Sequence, residues 1–208
     1  MLSNVSIQKF ALASACLLAL MSAQAQTADG TVVISGQLNV NTCSLSITDT
    51  SGETTNKGVR TVDLGTISND GSFSEGVLLG TKGQVALSLR NADNSGSCTI
   101  SGTPNNWNLV LDLESNQVST VNGQAFLTNQ AATNASTGIG IALFDTTNKR
   151  FTSLITGAGY GGTRLTQSNT GFGQGVAMSM GFQYVATSAS APSPGFVSVT
   201  LPFLIVYN

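Results

Sequence analysis

Apolar and polar residues alternate along this chain in short runs, and each run ends among turn-forming residues. Residues 84–90 place Val85, Leu87 and Leu89 on one side of an extended segment, and Leu109, Leu111 and Leu113 share a side in the same way. Residues 138–145 align Ile139, Ile141 and Leu143. Residues 178–185 align Met178, Met180, Phe182 and Tyr184. Between Val59 and Leu64, the residues Val59, Thr61 and Asp63 alternate with Arg60, Val62 and Leu64. A period of two is the signature of a half-buried strand, because successive side chains point to opposite faces. The intervening stretches, 91–97, 105–106, 128–137 and 157–162, are rich in Gly, Asn, Ser and Thr and predict loops. Such a succession predicts an all-β sandwich or barrel.

The two extremities carry the same pattern. A strand-like segment spans residues 30–43, and a second spans 197–208, aligning Val197, Val199, Leu201, Phe203, Ile205 and Tyr207. An edge strand offers unpaired N–H and C=O groups that can template pairing with another chain. This layout points to assembly rather than catalysis.

Residues 1–25 read as an export signal outside the fold. Lys9 precedes an apolar run from Phe10 to Met21, and Ala23-Gln24-Ala25 supplies a small-x-small cleavage pattern. The run falls short of the roughly 20 apolar residues a membrane-spanning helix needs. Ala13-Ser14-Ala15-Cys16 loosely resembles a lipidation site, but the apolar run continues past the cysteine as Leu17 to Met21. Cleavage after Ala25 removes Cys16 and leaves Cys43 and Cys98 as an even pair in an exported chain, for which a disulfide is the default. A bridge across that interval would stabilise the fold by roughly 4 kcal/mol in the chain-entropy account.

Composition narrows the function classes. Only 9% of residues are charged, and removing Lys9 leaves seven basic against ten acidic side chains, which argues against a nucleic-acid face. No histidine is present, so Ser-His-Asp and Cys-His arrangements are impossible and two thiols alone cannot complete a zinc shell. Residues 157–162 formally fit G-x-G-x-x-G, but neither a helix pattern nor an acidic residue about 20 positions on comes after them. Asp112 and Glu114 alternate with Leu111 and Leu113 and read as solvated, and the sequon Asn134-Ala135-Ser136 reads as accidental. The residues predict no enzyme and no cofactor.

The order of these pieces resembles a family. Gly30-Thr31-Val32-Val33-Ile34-Ser35-Gly36 is succeeded by Cys43, Val62-Asp63-Leu64-Gly65, Phe73, the strand at 85–89 and Cys98. Then come Gly138-Ile139-Gly140-Ile141 leading to Phe144-Asp145, Tyr184-Val185-Ala186, Pro194-Gly195-Phe196-Val197 and Phe203-Leu204-Ile205-Val206-Tyr207. Over the whole mature chain this looks like a fimbrial subunit of the chaperone–usher pathway, similar to type 1 pilins. The resemblance implies an incomplete immunoglobulin-like β-sandwich, residues 37–208, that lacks its final strand. It also implies an N-terminal donor-strand extension, residues 26–36, with Ala28, Gly30, Val32 and Ile34 on one face. The C-terminal strand would form a groove wall through Phe203, Ile205 and Tyr207, with Asn208 as the chaperone anchor. The implied partners are a periplasmic chaperone, an outer-membrane usher and neighbouring subunits in a surface fimbrium, reached by export through the periplasm. A rival reading is an exported single-domain adhesin or lectin, resting on Trp107 with Asn105, Asn106 and Asn108. Two stretches fit the family poorly: the extension before Gly30 is short, and residues 149–175 are rich in Gly and Thr.

Overall fold

The computed structural model describes residues 27–37, 43–49, 54–55, 59–68, 72–91, 107–145, 147–156, 163–165 and 177–207. The strands are β1 (Thr27–Gln37), β2 (Cys43–Asp49), β3 (Thr54–Thr55), β4 (Val59–Ser68), β5 (Leu78–Asn91) and β6 (Trp107–Leu111). They continue with β7 (Val118–Val121), β8 (Gln124–Thr128), β9 (Ile139–Phe144), β10 (Thr163–Leu165), β11 (Ala177–Ala186) and β12 (Gly195–Tyr207). One sheet has the order β10-β6-β12-β1-β4, and the other has β3-β2-β5-β11-β9-β8-β7. The chain is therefore an all-β protein whose two sheets form a sandwich.

The core lies between the sheets and is built by the alternating residues. Val85, Leu87 and Leu89 of β5, Leu109 and Leu111 of β6, and Met178, Met180, Phe182 and Tyr184 of β11 are all buried in it. They meet Val197, Val199, Leu201 and Phe203 of β12. Strand β9 departs from the alternation, since all six of its residues are buried. Its outward residues Ala142 and Phe144 join Val121, Phe126 and Val185 in a second apolar cluster. Both faces of β9 are thus covered, and period two alone does not reveal that.

Several boundaries differ from the sequence-based expectation. The apolar stretch at 30–43 is not one strand: β1 ends at Gln37, and β2 begins at Cys43 in the opposite sheet. Strand β4 runs on from Leu64 to Ser68, past a bulge at Gly65. Strand β6 ends at Leu111, so Leu113 is buried from a loop. The hairpin β7–β8 was not anticipated, although its two-residue turn is Asn122-Gly123 with φ of 50° and 71°. Positive φ at both positions is the turn whose twist matches paired strands, and Asn-Gly suits it best.

Pro202 sits inside β12 without breaking it. Its carbonyl accepts from Asp112 N–H at 2.9 Å, on the side away from β1, where the ladder with β6 has already ended. The donor that proline lacks would therefore point to that side and not toward β1. Truncating Phe182 to Ala, at the centre of the core, should destabilise the protein by about 3–5 kcal/mol. Denaturant unfolding with an unchanged m-value is the measurement.

Candidate functional site

Strand β1 occupies a slot between β12 and β4. It pairs in parallel with β12 over Ala28–Gln37 against Gly195–Leu204, and antiparallel with β4. Antiparallel neighbours dominate in sheets of this class, so a parallel pair between the first and last strands is a distinguishing feature. Ala28, Gly30, Val32 and Ile34 all face the core, with Val32 and Ile34 at 0% exposure. Val32 stands between Val199 and Val62, and Ile34 between Leu201 and Arg60. Asp29 on the opposite face is exposed, while Thr31, Val33 and Ser35 are half-buried.

The slot is shaped at one point by a tyrosine. Asp29 pairs with Thr66 and Thr31 with Asp63, so Gly30 alone faces the two residues Leu64 and Gly65. The extra residue is a bulge, accommodated by Gly65 at φ 68°, and Gly65 N–H donates to Asp63 Oδ1 at 2.8 Å. Tyr184 reaches across from the other sheet, and its hydroxyl donates to the Gly65 carbonyl at 2.7 Å. Its ring lies directly beneath β1. A Cβ on residue 30 would stand 2.6 Å from Tyr184 Cε1 and 2.7 Å from Cζ, closer than such atoms approach. Glycine at position 30 is therefore the counterpart of a tyrosine at 184. Burial pushes the Tyr184 phenol well above its ordinary 10.0, and the negative charges of Asp29 and Asp63 add to the rise.

The far corner of the slot is closed by an ion pair. Arg60 Nε donates to Asp49 Oδ2 at 3.1 Å, and Arg60 Nη2 contacts the same oxygen, tying β4 to β2. Both side chains are largely removed from water, so the pair joins the two sheets where β1 ends.

Other sequence-predicted residues fall elsewhere. Phe203 is buried beside the end of β1, whereas Ile205 and Tyr207 lie beyond the last β1–β12 pair, Gln37–Leu204, and pair in register with Leu109 and Trp107 of β6. The wall that β1 touches is thus Gly195–Leu204, all of β12 but its last three residues. Asn208, Cys98, residues 1–25, Asn105, Asn106 and the glycines at 157–162 lie outside the described residues, and of the segment 149–175 only residues 149–156 and β10 lie within them. Cys43 opens β2, and Trp107 and Asn108 open β6. Asp112 and Glu114 border an open cleft of about 610 Å³ with Ser115, Gln117, Thr156 and Pro202. There Glu114 and Gln117 cap a single 3-10 turn reciprocally, which occupies both side chains locally. Sequence reading placed Tyr184 in the core but missed its role in the slot. It also missed β4 as the second wall. The glycine that ends the alternating run at Gly65 was the available signal.

No family model matches this chain, and comparison with curated proteins finds no match. Among solved structures, the chain is similar to the CupB6 tip adhesin from Pseudomonas aeruginosa at 8% identity and a TM-score of 0.30. That likeness covers 86% of this chain and 84% of the adhesin. A likeness this distant carries no weight for function, which must be sought in the strands themselves.

Replacing Gly30 by Val should destabilise the protein by more than the roughly 1–3 kcal/mol typical of overpacking, because the ring beneath belongs to a fully buried side chain. Adding Tyr184→Ala should recover part of the loss, and a double-mutant cycle by denaturant unfolding measures the coupling. The phenol also sets an alkaline limit. Its folded pKa lies above its unfolded value of about 10, so its contribution is intact below pH 10 and is lost as pH rises beyond it. Stability should fall above pH 10 in the wild type, and Tyr184→Phe should flatten that slope in pH-dependent unfolding.

Proposed function

We propose that this chain is a structural subunit of a chaperone–usher fimbria that polymerises by donor-strand exchange, with β1 as the donor. The observation that carries the reading is the slot. An N-terminal strand completes a sheet between β12 and β4, and it is hydrogen-bonded on both sides with its apolar residues in the core. Any strand of the same pattern from a second copy would meet the same pockets, since main-chain pairing gives affinity and alternate side chains give register.

Energetics favour an obligatory occupant. Burying Val32 and Ile34 is worth about 1.5–3 kcal/mol each, before counting two ladders of hydrogen bonds. With the slot empty, β12 and β4 would both become open edges over exposed core, a state prone to aggregation. A periplasmic chaperone strand, as the family resemblance implies, would cover that state until a neighbouring subunit arrives at the usher. Exchange between copies conserves the contacts, so its balance is set by concentration. A strand tethered by a short connection competes at an effective concentration of about millimolar, and closure within one chain wins in dilute solution. Completed fibres would be kinetically stable, because release requires breaking both ladders together.

The test is to refold the mature chain, residues 26–208, at millimolar protein and to run unheated denaturing gels. We expect heat-sensitive ladders from the mature chain and none from a version starting at Gln37. Val32→Asp, which places a charge at a fully buried position, should abolish the ladders. If the mature chain stays monomeric at every concentration, the sandwich is closed for good within one chain. An exported binding module would then replace the fimbrial reading, with Trp107 the first residue to test against glycans.

A further inference from the structure

Strand β12 has two edges, and only one of them faces β1. Its other edge meets β6 from Phe203 onward, which leaves the stretch from Phe196 to Thr200 without a strand neighbour on that side among the described residues. The loop between β8 and β9 fills the gap. Phe196 N–H donates to the Asn134 carbonyl at 2.8 Å, and the Phe196 carbonyl accepts from Ser136 N–H at 2.9 Å and from Asn129 Nδ2 at 2.8 Å. Ser198 N–H donates to Asn129 Oδ1 at 3.0 Å, while the Ser198 carbonyl accepts from Gln130 N–H at 2.8 Å. Thr200 N–H donates to Gln130 Oε1 at 3.3 Å.

Two side-chain amides therefore stand in for a strand. Asn129 is saturated: Nδ2 also donates to the Ser136 carbonyl at 2.9 Å, and Oδ1 also accepts from Ala131 N–H at 3.0 Å. That uses both donors and both acceptor positions of the amide. The loop is anchored from behind, since the buried Ser136 hydroxyl donates to the Ser193 carbonyl at 2.5 Å.

On the reading that β12 is the acceptor strand, we infer that this loop makes strand addition one-sided. Asn129 and Gln130 are positioning residues that close the second edge of β12 to a second copy of this chain. An acceptor strand that paired on both edges would branch or stack laterally instead of growing head to tail. The loop removes that option by satisfying the backbone groups a foreign strand would need.

The test separates this edge from the slot. Val33 and Thr200 are in register on the outer face of β1 and β12, so a Val33→Cys/Thr200→Cys bridge would lock β1 in its own slot. In the locked full chain, Asn129→Ala should associate with rising concentration in sedimentation velocity, while the locked parent stays monomeric. Amide hydrogen exchange should quicken at least tenfold at Ser198 and Thr200, which face the loop, and stay slow at Val197 and Val199, which face β1. If Asn129→Ala unfolds globally, all four amides exchange fast, and locked Gln130→Ala, which removes only the Thr200 acceptor, is judged by the same two measurements. A locked variant that opens Ser198 or Thr200 and remains monomeric overturns the inference, and so does one in which both amides stay protected. Failure of the unlocked parent to form ladders would instead count against strand exchange, and leaves this result readable.

Discussion

The parallel pairing of β1 with β12 is the contact on which the rest of the sandwich depends. It joins the two ends of the described chain in the middle of a five-stranded sheet, with β4 on one side and β6 on the other. Central strands make two ladders and bury one full face, so β1 contributes far more than an edge strand of equal length would. It is the first of the described strands and β12 the last, so their pairing joins positions such as Ala28 and Gly195 that lie far apart in sequence. Here sheet integrity rests on non-covalent contacts that a like strand could reproduce.

The size relation between Gly30 and Tyr184 shows how such a slot selects its occupant. The tyrosine crosses from β11 and its hydroxyl donates to the bulged carbonyl of Gly65, so this buried side chain is held in place at its polar end as well as by its packing. The space beneath β1 is consequently fixed in height at one position. Larger residues are welcome at 32 and 34, where Val199, Leu201 and Val62 line the walls, and excluded at 30. Selectivity of this kind comes from one rigid side chain and two glycines rather than from charge.

Much of this arrangement was legible in the order of residues. Alternation at 85–89, 178–184 and 197–203 identified the core faces because each of those strands buries one side, and the same logic aligned Ala28, Gly30, Val32 and Ile34. What could not be read was pairing. Nothing in residues 43–49 announces that they leave the sheet of β1, and nothing local in 59–68 says that this strand is the far wall of the slot. Both facts depend on partners distant in sequence. The bulge at Gly65 shifts the alternation, so Leu64 and Ile67 are both buried, and a strict count of two loses Ile67 there. Strand β9 was under-read for a different reason: the second cluster around Phe126 and Phe144 covers a face that alternation assigns to solvent. The amide cover from Asn129 and Gln130 was hidden in a stretch whose composition announces only a loop.

Direction matters as well as pairing. Because β1 and β12 run the same way, Thr27 and Tyr207 lie at opposite poles of the sheet. A load applied between the beginning of β1 and the end of β12 slides the two strands along each other. It strains the hydrogen bonds from Ala28 to Gln37 in concert rather than opening them one by one like a zipper. A domain wired in this way resists stretching along its length far better than peeling from the side.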